Sequence, residues 1–141
     1  MAEASRTVVI NRPIDEVFAF FTTPSNDPSW RTQVKEISGD PRKGARIHQV
    51  VKGPGGTDFP ADMEVTAFEP PTRYAFRVVA GPVRPQGEFL LTSVDGGTDV
   101  TFHLKAEIKG LKALALARPA QSAMDSEVAG LETAKRKLEG T

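Results

Sequence analysis

From Val100 to Ile108 every second residue is apolar and the residues between them are polar. Val100, Phe102, Leu104, Ala106 and Ile108 fall on one side, with Asp99, Thr101, His103, Lys105 and Glu107 on the other. A period of two belongs to a strand, and a strand with one dry and one wet face belongs to an antiparallel sheet. The preceding run, "GEFLLTSV", is joined to it through Asp95-Gly96-Gly97, whose turn chemistry predicts a hairpin. Upstream, "DFPADMEVTAFE" places Phe59, Ala61, Met63, Val65 and Ala67 on one face, and "PPTRYAFRVVAG" does the same for Tyr74, Phe76 and Val78. "RTVVIN" at 6–11, "WRTQVKEISG" and "ARIHQVVKG" read as further strands. So wide a dry face has to be covered, and this demand constrains the rest of the chain.

Two helical stretches are available to cover it. Pro13 suits the first turn of a helix, where a missing N–H costs nothing, and Asp15 and Glu16 follow where the helix dipole favours negative charge. Ile14, Val17, Phe18 and Phe21 then recur at helical spacing and make one apolar face. "PSNDPSW" is rich in turn formers and predicts a further short helical turn. After Gly110, "LKALALA" begins a second helix, which Pro119 is expected to kink or restart. Ala120, Met124, Val128, Leu131 and Leu138 continue the apolar face, and Lys135, Arg136 and Lys137 close it with the charge its C-terminus favours. Unbroken from Pro119 to Leu138, this helix would be roughly 30 Å long. The expected order is strand, helix, six strands, long helix, in a single domain spanning residues 1–141.

Composition narrows the function classes. Eighteen basic residues balance eighteen acidic ones, so no net field favours nucleic acid or an anionic membrane. Residues 31–52 are mainly basic (Arg31, Lys35, Arg42, Lys43, Arg46, Lys52) and residues 53–70 acidic (Asp58, Asp62, Glu64, Glu69), a pattern expected to pair across strands on the wet face. With no cysteine, disulfides, thiolate metal sites and cysteine nucleophiles are excluded, and a cytoplasmic location is expected. No basic segment followed by an apolar one marks a signal peptide, and no apolar run reaches membrane-spanning length. "GPGGT" is a glycine turn without the lysine of a phosphate-binding loop. His48 and His103 lie on separate strands, and neither a nucleophile elbow nor a dinucleotide fingerprint is present, so no metal and no cofactor are expected.

The order of elements carries a resemblance. With "VVINRPIDEVFAFFTTPSNDPSW" leading, "MEVTAFEPPTRYAFR" in the middle and "DGGTDVTF" before a long C-terminal helix, the chain resembles the polyketide cyclase/dehydrase branch of the START-like (SRPBCC) superfamily along essentially its whole length. The resemblance implies an α+β helix-grip fold: a seven-stranded antiparallel sheet wrapped around the long C-terminal helix, with two short helices after the first strand. It also implies an apolar cavity between sheet and helix that takes a small hydrophobic molecule, such as a lipid, a polyketide or an aromatic.

On that reading the cavity candidates are Trp30, Gln49, Phe59, Met63, Tyr74, Phe76, Phe89, Phe102, Leu104 and Met124, all drawn from faces assigned to the interior. Gln49 and Tyr74 are the polar members, and a buried polar group calls for a partner. Glu88 and Arg77 would reach the interior only in the opposite register, and both histidines fall on the wet face. No catalytic constellation is assembled, and three functions are open. The first is binding of a small hydrophobic ligand by a monomer or homodimer. The second is a cyclase or dehydratase that would use Tyr74, Gln49 or a histidine to move protons. The third is a protein–protein module whose cavity is filled by side chains.

Overall fold

The computed structural model describes residues 2–52, 56–80, 83–108, 110 and 112–140. The glycine turn expected from residue 53 falls largely outside them, as does Leu111 at the head of the last helical run. The chain begins with β1 (Ala2–Ile10), α1 (Ile14–Phe21) and a short 3-10 helix (Pro24–Ser29). Then come β2 (Val34–Ser38), β3 (Arg46–Lys52), β4 (Asp58–Pro60), β5 (Met63–Glu69), β6 (Arg73–Val78), β7 (Gln86–Val94) and β8 (Gly97–Ala106), and finally α2 (Lys112–Ala129) and α3 (Leu131–Leu138).

Seven strands form one antiparallel path, β1-β8-β7-β6-β5-β3-β2, and the short β4 pairs with β3 off that path. This is the α+β helix-grip arrangement that the resemblance implies. The expected hairpin joins β7 to β8: Val94 pairs with Gly97 across Asp95-Gly96, and Gly96 takes a φ of 80°, which glycine adopts without strain. Along β8, Val100, Phe102, Leu104 and Ala106 are all buried. Val17, Phe18 and Phe21 of α1 join them in the core, with Ile14 packed at its margin.

Two elements depart from simple periodicity. Between Val65 and Ala67 the pairing of β5 with β6 slips by one residue. Val65 stands opposite Phe76, yet Ala67 stands opposite Ala75 and Phe68 opposite Tyr74. Tyr74 and Phe76 are core residues, so Ala75 between them points to the other side of the sheet, and so does Ala67, although both are buried there. The extra residue, Thr66, is a bulge that turns Phe68 inward in place of Ala67. The Phe68 ring then packs edge-on against Phe18, 5.5 Å between centroids.

The second departure is in the C-terminal helix. Pro119 sits inside α2 on its exposed side and ends nothing; the interruption comes at Gly130. A Cβ there would stand 2.9 Å from the carbonyl oxygen of Trp30 and 3.1 Å from its ring. Glycine therefore allows the helix to cross Trp30 at contact distance.

The helices also finish the sheet. β1 is an edge strand, and side chains of the C-terminal segment satisfy some of the outward backbone groups along and just beyond it. Gln121 accepts from Glu3 N–H at 3.1 Å and donates to its carbonyl at 2.7 Å. Lys135 donates to the Val9 carbonyl at 2.6 Å, and Glu139 accepts from Asn11 N–H at 2.9 Å. No helix among the described residues is long and apolar enough to cross a membrane.

Candidate functional site

The aromatic side chains of the interior gather around Phe89. Its ring stacks on Phe102 at 4.2 Å, on Phe21 at 4.9 Å and on Tyr74 at 6.1 Å, with Trp30 edge-on at 6.1 Å. Beside this stack is a small cavity of about 20 Å³. Its apolar wall is made by Phe21, Trp30, Tyr74, Phe76, Phe89 and Phe102, with Ile37, Ile47 and Met63 from the β2, β3 and β5 side. A space of that size takes one water molecule, and the guest-sized pocket implied by the resemblance is closed by side chains.

The fill has an identifiable keystone. Gly87 of β7 lies between Phe76 and Leu104, its partners on either side. A Cβ on Gly87 would land on the Phe76 ring and stand 2.8 Å from Leu104 Cδ2. The bare backbone at this position allows Phe76 to lie flat across the sheet and occupy the interior.

The polar end of the cavity is lined by Asp27 and Arg31, and Glu127 holds Arg31 from its other edge. The 3-10 helix wraps so that Trp30 and Arg31 both donate their backbone N–H to the Asp27 carbonyl, at 3.1 and 2.7 Å. This brings the Arg31 side chain back over Asp27, where Nη1 donates to Oδ2 at 2.9 Å. The same Nη1 donates to Gln49 Oε1 of β3 at 3.1 Å. On its other edge the guanidinium grips Glu127 of α2 with Nε and Nη2, at 2.9 and 3.3 Å. One arginine thus joins the 3-10 helix, the sheet and the C-terminal helix, with its side chain only 11% exposed. A bidentate fork of this kind is the geometry for which guanidinium is suited and ammonium is not.

Electrostatics in this end are strongly perturbed. Burial raises the Asp27 pKa from 3.8 to about 6, outweighing the lowering pull of Arg31. For Arg31, burial opposes the charge, but Glu127 and Asp27 more than compensate and hold it protonated. The Tyr74 phenol is pushed up by burial and then by the Asp27 charge. Two buried polar atoms have no hydrogen-bond partner among the described residues: Asp27 Oδ1 and Trp30 Nε1. The indole N–H still lowers the Asp27 pKa, so it acts on the carboxylate from just outside hydrogen-bond geometry. Both residues line the cavity.

The sequence-derived candidates divide accordingly. Trp30, Met63, Tyr74, Phe76, Phe89 and Phe102 meet at the cavity wall. Gln49 is 2% exposed and reaches the site through Arg31. Leu104 and Met124 are core residues away from that wall, and Phe59 is half-buried on β4. His48 faces Asp62 at 3.0 Å and Glu36 at 3.7 Å on the outside, and His103 faces Glu3 at 3.2 Å. Arg77 pairs with Glu64 at 2.9 Å, and Glu88 with Arg73 at 2.6 Å. Arg77, Arg73 and Glu88 edge an open hollow of about 350 Å³ on the outer face, lined also by Ala75. Among the described residues no group of three acidic or histidine side chains is placed to hold a metal ion.

Asp27, Arg31 and Glu127 were not among the candidates. Arg31 reads as the start of a strand's wet face, but residues 30–33 form a turn and β2 begins only at Val34. The available signal was the four-residue spacing of Asp27 and Arg31 in a helical segment, which places opposite charges together.

The sequence matches the family described as Polyketide cyclase / dehydrase and lipid transport over residues 1–139. The chain belongs to this family. Solved structures of the same fold accompany the match. A Thermus thermophilus protein superposes with a TM-score of 0.79 at 18% identity, covering 96% of both chains. A Deinococcus radiodurans protein does so with a TM-score of 0.72 at 22% identity, covering 99% of this chain and 98% of that one. The di-domain ARO/CYC StfQ of the steffimycin biosynthetic pathway superposes with a TM-score of 0.76 at 13% identity, over 98% of this chain and 51% of its own length. At these identities the likeness is one of fold. No curated protein matches the sequence.

Proposed function

We propose that this polyketide cyclase/dehydrase family member binds a small hydrophobic, ring-bearing molecule in the interior beside Phe89, with the Asp27–Arg31 end as its polar boundary. The observation that carries this reading is the pairing of an aromatic wall with two buried, unpartnered polar atoms, Asp27 Oδ1 and Trp30 Nε1. Neither completes a hydrogen bond to the described residues, and each costs free energy until something satisfies it.

A cavity of about 20 Å³ is too small for such a guest, so binding requires side chains to move. Met63, unbranched and adaptable, is the wall residue suited to yield. A guest burying about 300 Å² of apolar surface gains on the order of 7 kcal/mol, and association and rearrangement costs return much of it. Micromolar or weaker affinity is expected for a generic apolar guest. The test is native mass spectrometry of the freshly purified protein, followed by titration with fused-ring aromatics and fatty acids. Trp30, the chain's single tryptophan, reports by fluorescence, and the melting temperature is followed in parallel. Saturable binding supports the reading. No response and no co-purified molecule would replace it with the interaction module, whose filled interior the small cavity already resembles.

One observation favours a second reading, a cyclase-type enzyme. Asp27 is an ionisable group facing the aromatic space with a pKa of about 6, suited to proton transfer near neutral pH. Conversion of a polyketone to a cyclic product, lost in Asp27→Asn while binding is retained, would establish it.

A further inference from the structure

We infer that the polar end of the cavity is a receptor for a hydroxyl group on an aromatic ring, with Asp27 Oδ1 as acceptor and the Trp30 indole N–H as donor. This rests on the binding reading above and names the class of ligand.

The unpartnered atoms are of opposite kinds. Asp27 Oδ2 is taken by Arg31, which leaves Oδ1 with free lone pairs, and Trp30 Nε1 has a proton to give. Asp27 is 8% exposed and Trp30 2%, so bulk water serves neither. A group that satisfies both must donate to one and accept from the other through one atom or two adjacent ones. A hydroxyl does this; an ether or ketone only accepts, and an ammonium only donates. The cavity admits one oxygen-sized group, and its lining combines Asp27 and Trp30 with the rings of Phe21, Tyr74, Phe89 and Phe102. Ring walls favour stacked, planar neighbours. Arg31 strengthens the choice, because it is fixed by Glu127 on its other edge and engages Asp27 through Oδ2 alone, leaving Oδ1 as the acceptor that remains.

The experiment compares 2-naphthol, 2-methoxynaphthalene and naphthalene, which share a ring system and differ at one substituent. Each is titrated at pH 7.5 by calorimetry and by thermal shift against the wild type and Trp30→Phe. The variant keeps an aromatic ring and removes the donor. A hydrogen bond to a charged group is worth about a factor of ten. The wild type is therefore expected to hold 2-naphthol at least about tenfold more tightly than the other two. Trp30→Phe, whose smaller ring can weaken binding of all three ligands, should lose several-fold of that preference when each affinity is read against the variant's own affinity for naphthalene. Equal affinity for all three would overturn the hydroxyl receptor and leave the hydrophobic binder standing. Failure of all three to bind the folded wild type would overturn both. If Trp30→Phe melts early, the wild-type ranking of naphthol against its methyl ether decides alone.

Discussion

Arg31 makes more specific contacts than any other side chain around the cavity, and it cannot shed its charge. Removing it leaves Asp27 and Glu127 facing each other in a poorly solvated interior. Arg31→Met is expected to cost about 3–5 kcal/mol, the range for breaking a buried pair by deleting one partner. Arg31→Lys should recover only part of this, because an ammonium cannot span Glu127 and Asp27 with a planar fork. Urea unfolding of the two variants measures both. Gly87 tests the opposite kind of crowding. A methyl group there collides with the Phe76 ring, so Gly87→Ala is expected to destabilise by about 1–3 kcal/mol, in contrast to the gain usual for glycine replacement in a strand. At this scale the sequence was half legible. The aromatic wall followed from alternation along β6 to β8, whereas the charged end depended on a turn at residues 30–33 that no periodicity announces.

Alternation carries a strand reading only until a bulge intervenes. Val100 to Ala106 runs unbroken, as its pattern predicts, while the bulge at Thr66 turns Ala67 to the outer side of the sheet, where it is still buried, and packs Phe68 against the core. The cue was faint, since both alternatives are apolar. The same holds for Gly130, whose role comes from Trp30, a residue far away in sequence. The two C-terminal helices illustrate what elements do beyond covering a core. Gln121, Lys135 and Glu139 occupy the free edge of β1, and an uncovered edge is a template for pairing with another chain. Gln121→Leu combined with Lys135→Met is therefore expected to promote concentration-dependent association more than its cost in stability would explain. Light scattering across a dilution series, with melting temperature as the control, distinguishes the two. Truncation after residue 118 removes Met124, Val128, Leu131 and Ala134 from the core altogether, and no cooperatively melting monomer should survive it.

For the molecule as a whole, the raised pKa of Asp27 becomes a pH dependence of folding. The folded state binds this proton more tightly than the unfolded chain, with a pKa of about 6 against 3.8. Its contribution to stability is therefore complete below pH 3.8 and is lost as pH rises through about 6, by on the order of 3 kcal/mol. Asp27→Asn cannot titrate, so the difference in unfolding free energy between wild type and variant should change across that window and level off above pH 7. Parallel denaturation series at pH 4, 5, 6 and 7.5 check the slope and its sign.

The raised pKa of Asp27 beside Arg31 and Glu127 also implies that the interior exchanges a proton with the buffer near pH 6, and occupancy of the cavity is expected to shift that exchange. With both carboxylates ionised the cluster carries one excess negative charge; with Asp27 protonated it is neutral. A guest with no hydroxyl group dries the space further and draws a proton in from the buffer near pH 6. A guest that donates a hydroxyl hydrogen to Oδ1 stabilises the anion and sends a proton out. Heats of binding measured near pH 6 in two buffers of different ionisation enthalpy should thus deviate in opposite directions for naphthalene and 2-naphthol. The sign of that deviation would reveal how a ligand sits before its position is seen.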